Sequence, residues 1–515
     1  MTEHKHIGKI VGALMAAAVT FCLIVTLFAD RFVAVSGSSA ATMEYESTLF
    51  DTSEIMTVNI IMDEDQWQEL LDNAISEEYY ACDVEINGET ISNVGIRAKG
   101  NTSLSSIAND PDTDRYSFKI KFDKYVDGQT CMGLDKLVLN NNFADATNRK
   151  EALVYDMFQY LGADASLYHY AKISVNGEYW GTYLALEAVE DSFKLRNYGV
   201  SDGKLYKPET MGMGNDQKEE GSNLMDRPER PQGDFDQADM DEKFRNPQGG
   251  HDDFGSFGNR NGGADLNYVD DDADSYSTIW DGADGKVTDS DKERVITAIK
   301  NINEGTDLTT YLDVDNILKY MAIHEFVVNL DSLSGNMAHN YYLYENDGQL
   351  NIIPWDYNLS FGGMTNGGMG GGPGRNSTES SGATSMINDP IDTPFDGTDF
   401  FDALLENEEY LAQYHEYLRQ LAEEYVQGGR LQEVWERLDA QTDELIETDP
   451  TAFYTAAEYE EAKETLWTVL QLRAESVLGQ LDGTIPSTDD GQQNAQDTLI
   501  DGSAIDLSVM GEFNH

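Results

Sequence analysis

The sequence predicts an α+β protein with two lobes, a mixed strand-rich N-terminal half and a largely helical C-terminal half, preceded by one transmembrane helix. Three observations carry this. Period-two alternation and Asn-Gly turns dominate from Thr57 to about residue 190. Helical spacing of large apolar residues dominates 314–330 and 400–478. A run of 20 residues without a charge, 10–29, opens the chain.

That run spans roughly 30 Å as a helix, one bilayer core. Lys5 and Lys9 precede it, so residues 1–9 are expected to stay in the cytoplasm. The body then lies outside, either anchored or released by cleavage near Ser38-Ser39-Ala40-Ala41. Residues 30–50 read as a small-residue stalk. TVNIIM from Thr57 reads as a strand, and Asp63 caps a short helix whose Trp67, Leu70 and Leu71 share a face. A hairpin turns at Asn87-Gly88. In YSFKIKF, Phe118, Ile120 and Phe122 face one way, and Lys119 and Lys121 the other. Residues 147–161 make an amphipathic helix stopped by Gly162. Two strands flank Asn176-Gly177, and a hydrophobic hairpin follows His339-Asn340. The Gly-rich stretches 211–270 and 362–383 read as flexible insertions within a 51–483 body. The polar tail 484–515 reads as loose, with Ile505-Asp506-Leu507 as the part able to dock.

The 515 residues hold 34 Lys+Arg against 94 Asp+Glu, a formal net charge of −60. This excludes nucleic acid as a partner, because a phosphate backbone would be repelled. It favours divalent cations and basic partners. Of three cysteines, Cys22 falls in the apolar run, and Cys82 and Cys131 are left for the body, paired or free.

Chemistry concentrates between residues 329 and 362. Asp331 follows a long apolar helical pattern, and burying such an acid is costly unless it is paired or binds metal. Asn336 stands five residues on, the spacing of a kinase catalytic loop, in which the acid orients a hydroxyl and the amide helps hold a metal. Asn340 is a second amide candidate. Asp356 ends the strand Ile352-Ile353-Pro354-Trp355 and opens a Gly-rich loop, a suitable place for a Mg²⁺ ligand. Each could instead be turn chemistry. Lys119 and Lys121, with Arg97, Lys99 and the loop from Gly100 to Ser103, are candidate phosphate contacts. Arg149 or Glu151 could brace such a lysine, and Glu187 could mark an adenine-carrying strand.

The pieces GIRAKGNTS, YSFKIKF, LNNNFADATNRKEALVYDMFQYLG, VNGEYWGTYLALEAVEDSF, LDVDNILKYMAIHEFVVNLDS, HNYYLYENDGQLNIIPWDYNLSFG, IDTPFDG and LRAESVLGQLDG run in order from about residue 57 to 483. Together they resemble the CotH kinase family, named for a bacterial spore-coat protein. The resemblance implies an atypical protein-kinase-like fold, ATP, and Mg²⁺ or Mn²⁺. It implies phosphorylation of Ser, with Thr as a further target, in Ser/Thr-rich secreted, envelope or spore-coat proteins. It makes Asp331 the catalytic acid and Asp356 a metal ligand, and it favours Asn340 over Asn336 as the second ligand. Arg97, Lys119, Arg149 and Glu187 fall in family motifs and become nucleotide contacts. Two alternatives stay open: a coat or surface assembly protein that binds without catalysis, and transfer of AMP in place of phosphate.

Overall fold

Alternation along the N-terminal half builds a closed barrel. The computed structural model describes residues 41–210, 262–334, 338–363, 382–393, 395 and 397–511. Seven strands, β1 (Met56–Ile61), β2 (Tyr80–Ile86), β3 (Glu89–Lys99), β4 (Ser117–Lys121), β5 (Lys136–Asn140), β6 (Tyr168–Val175) and β7 (Glu178–Glu187), pair in the order β1-β2-β3-β4-β5-β7-β6. The ring closes because β1 also pairs in parallel with β6, from Met56 opposite Ala171 to Ile60 opposite Val175. This closure corrects the expected two-lobed kinase-like architecture. Local alternation foresees strands, but it carries no information on a parallel ladder joining residues more than 100 apart in sequence. The anchor expected at 10–29 and most of both Gly-rich insertions lie outside the described residues. No helix among the described residues is long and apolar enough to cross a membrane.

The barrel interior is a filled core of side chains such as Val58, Ile96, Phe118, Ile120, Leu139 and Ile173. β5 and most of β7 are buried on both faces, whereas β1 alternates between buried and exposed. The reason is a second core against the outer wall. There Val138, Tyr168, Leu184 and Leu186 meet helix α1 (Lys150–Leu161) and the helices beyond it. α1 is therefore buried almost all round, including Lys150 and Glu151, and not one-faced as its sequence pattern suggests. Gly162, at φ +65°, ends it as expected.

A three-stranded sheet, ordered β10-β9-β8, lies against the second core. Its members are β8 (Lys204–Tyr206), β9 (Tyr341–Asn346) and β10 (Gln349–Pro354). Helices α2 (Val314–Val327), α3 (Glu408–Arg419), α4 (Arg430–Glu447) and α5 (Ala456–Leu481) complete the C-terminal half. The tail is docked, not loose. Ile500 bonds the Asn388 side chain through its backbone, Leu507 and Met510 are buried, and the Ala146 N–H donates to the Met510 carbonyl at 3.1 Å. Gly511 passes so close that a Cβ there would stand 2.6 Å from the Ala144 carbonyl oxygen. Cys82 and Cys131 are free and buried.

Arg473 of α5 ties these parts together. Fully buried, it donates to the carbonyls of Phe326, Ile387, Asp389 and Glu325, and to the Glu325 carboxylate at 3.0 Å. Removing its charge leaves the buried Glu325 beside Asp389 without a counter-charge and four carbonyls without their donor. Arg473→Met is expected to cost about 3–5 kcal/mol of unfolding free energy, read from urea denaturation, with only the part due to the Glu325 charge recovered by adding Glu325→Leu.

Candidate functional site

The site forms where strand ends and helix starts converge. Lys99 ends β3, Asn140 ends β5, and Glu151 sits in the first turn of α1. From the other side, Lys207 follows β8, His339 and Asn340 precede β9, and Trp355 and Asp356 follow β10. Asp331 lies on the loop after α2.

Lys99 Nζ donates to Asn140 Oδ1 at 2.9 Å, and Asn140 Nδ2 donates to Glu151 Oε2 at 2.9 Å. Lys99 also lies over the Trp355 ring at 5.8 Å. Trp355 meets Tyr342 edge-on at 5.5 Å, and Lys207 lies over Tyr342 at 5.8 Å while pairing with Glu209 at 2.6 Å. Two lysines thus frame the acids through an aromatic pair.

Asp331 is held from both sides. Oδ1 contacts His339 Nε2 at 2.7 Å, and Oδ2 accepts from Asn340 Nδ2 at 3.0 Å. The same amide donates to the Asp331 carbonyl at 2.8 Å. Burial lowers the His339 pKa, but its bond to Asp331 and that residue's charge outweigh this and leave it raised.

Asp331 and Asp356 belong to one electrostatic unit. Burial raises the Asp356 pKa. Lys99 opposes this, the Asp331 charge adds to it, and Lys207 and His339 oppose it again. Glu151 is pushed up to about 8, first by burial and then by the Asp356 charge, with Asn140, Lys99 and the Tyr357 N–H opposing. Its Oε1 is buried without a hydrogen bond of ordinary geometry.

The backbone around the acids is strained. Val328, Ala338, Asn340, Asp356 and Phe361 all have left-handed φ, between +47° and +61°. For a β-branched residue such as Val328 this is a true outlier, and such strain persists where surrounding contacts over-determine it.

The structure therefore brings together Asp331, Asp356 and Asn340 of the sequence-predicted residues, with Lys99 and its brace Glu151 beside them. Asn336 lies outside the described residues. The remaining candidates sit elsewhere. Arg97 pairs with Glu77 and covers Tyr79. Lys119 stands opposite Arg97 in the β3–β4 ladder, and Lys121 lies 3.9 Å from Asp123. Arg149 turns away to Asp439, Asp443 and Tyr459. Glu187 is spent on Arg196, Tyr45 and the Leu167 N–H. The sequence reading did not single out Asn140, Lys207 or the role of His339. The run LNNN at the end of an apolar strand was the available signal for Asn140.

Among the described residues no three His, Cys, Asp or Glu side chains form a metal cage. One carboxylate and one amide, with the rest of the shell supplied by phosphates and water, is nonetheless a common way to hold Mg²⁺. Crowded acids with raised proton affinity, a buried carboxylate oxygen short of a well-formed hydrogen bond and two framing lysines fit a metal-bound phosphate group. A family model described as CotH kinase protein matches residues 96–477, most of the chain. No curated protein matches it.

Folded, Glu151 keeps a proton up to about pH 8, whereas unfolded it releases it in the ordinary carboxylate range. The native state then binds more protons between those limits, so its stability falls as pH rises through them. The melting temperature of the metal-free protein is expected to drop from about pH 5 to about pH 8. Glu151→Gln, which cannot ionise, should flatten that drop. An unchanged slope in the variant would remove Glu151 as its source.

Proposed function

The chain belongs to the CotH kinase family, and on that premise we propose that it transfers the γ-phosphate of ATP to Ser or Thr hydroxyls of Ser/Thr-rich coat or surface proteins. Family membership supports kinase and spore-coat function in general. The observation that carries the finer reading is the clamp of His339 and Asn340 on Asp331, with Asp356 following β10 and Lys99 and Lys207 flanking the Trp355–Tyr342 pair.

In this reading Asp331 orients the acceptor hydroxyl and takes its proton on a carboxylate oxygen as that hydroxyl oxygen bonds the γ-phosphorus and the bond from phosphorus to the β-phosphate oxygen breaks, releasing ADP. His339 and Asn340 fix both carboxylate oxygens, so the acid meets the hydroxyl without a search through rotamers. Asp356 and Asn340 would hold Mg²⁺ or Mn²⁺, which would supply charge neutralisation on the phosphates. Lys99 stands ready for phosphate oxygens, oriented by Asn140 and Glu151. Lys207 offers a second cation from the opposite side. Glu151 is buried and Asp331 and Asp356 are only partly exposed, which limits the water able to compete with the acceptor.

The test is transfer of label from γ-labelled ATP to a Ser-rich acceptor with Mg²⁺ or Mn²⁺. Asp331→Asn and Asp356→Asn should each lower it by at least about 100-fold, without a change in melting temperature that explains the loss. Label from the α-phosphate should not transfer. Wild-type rates in both variants would remove these acids from the chemistry, and α-label transfer would convert the activity to adenylylation.

A further inference from the structure

His324, on α2, is fully enclosed. Its ring lies 5.4 Å from Tyr320 and 5.3 Å from Phe395, stacked between them. A phenylalanine would fill such a slot. What distinguishes the histidine is that both ring nitrogens are used. Nε2 lies 2.7 Å from Ser334 Oγ, and Nδ1 lies 3.2 Å from the Tyr357 hydroxyl.

The directions of these bonds follow from the partners. Ser334 Oγ gives its own proton to the Asn329 carbonyl at 3.1 Å, so it accepts from Nε2–H. Nδ1 is then bare and accepts from Tyr357. Burial keeps the ring neutral, with its pKa pushed down to about 3, which this single-tautomer arrangement requires.

Each partner is anchored to an acid. On one side, Ser334 and Asn329 close a turn around Asp331, whose N–H donates to Asn329 Oδ1 at 3.3 Å. On the other side, Tyr357 is the next residue after Asp356. The segment beyond it returns to the end of α2, where the Phe361 N–H donates to the Val327 carbonyl at 2.8 Å. Two strained segments from different parts of the chain are thus pinned to one imidazole.

We infer that His324 is a positioning residue, a neutral tie that fixes the Asp331 loop and the Asp356 turn relative to each other. It touches neither substrate nor cofactor. This inference rests on the phosphotransfer reading for its catalytic consequence, but its structural part stands apart from it.

His324→Phe keeps the packing and removes both bonds. In the full chain it should lower kcat by about 10- to 100-fold, the usual cost of losing a group that orients a reacting one, with the KM for ATP little changed. Hydrogen exchange should quicken in 329–334 and 356–361 and stay as in the parent across the barrel. His324→Asn places an acceptor near the Nδ1 position and should recover part of the rate. Should His324→Phe fail to fold, Ser334→Ala cuts one of its bonds, Tyr357→Phe cuts the other together with the hydroxyl's contact to Tyr320, and each should show a smaller loss of the same kind. Faster exchange with an unchanged kcat would overturn the positioning role. Unchanged exchange in both segments would overturn the tie itself. If the parent transfers no phosphate, the phosphotransfer reading falls together with the positioning role, while the exchange measurements still decide the tie.

Discussion

Placing the buried Glu151 beside the partly buried Asp356 is the constraint on which the rest of the site depends. Two such carboxylates resist ionising side by side, and each needs counter-charge or hydrogen bonds to be tolerated. The molecule supplies these from separate elements. Lys99 arrives from the end of β3, Asn140 from the end of β5 across the intervening β4, and Lys207 from the small sheet. No one of these could hold the acids alone. The junction between barrel and helices is therefore also where charge is concentrated, and a bound divalent ion would relieve what the protein groups leave uncompensated.

Much of the fold was legible in the sequence because much of it is local. Asp63 caps its helix through Asp65 and Gln66, the Asn87-Gly88 and Asn176-Gly177 pairs turn their hairpins, and Gly162 stops α1, all as their chemistry dictates. The closure of the barrel was not legible, because β1 and β6 find each other across the whole N-terminal half. Nor was the burial of α1. Lys150 and Glu151 look like solvent-facing residues until the barrel wall and C-terminal helices cover them.

The site divides the same way. Asp331 and Asp356 stood out because an acid next to an apolar run asks for a reason. The cations did not sort by strand position. Arg97 and Lys121 share a wall with Lys99, yet only the residue at the very end of β3 reaches Asn140. Glu187 and Arg149 are buried and charged, as functional groups often are, but each is consumed by a structural network. Burial of charge marks importance without saying of which kind.

The family match begins inside β3 and stops near the end of α5, whereas β1, β2 and the docked tail lie beyond it and still shape what it contains. The contact between Met510 and Ala146 has a consequence for synthesis. The loop leading into Glu151 is translated hundreds of residues before the segment that clasps it. A growing chain can complete its barrel early, but it cannot set that loop in its final place until Met510 has been made. Competence should therefore arrive late, once that clasping segment is free to dock, not gradually along the way.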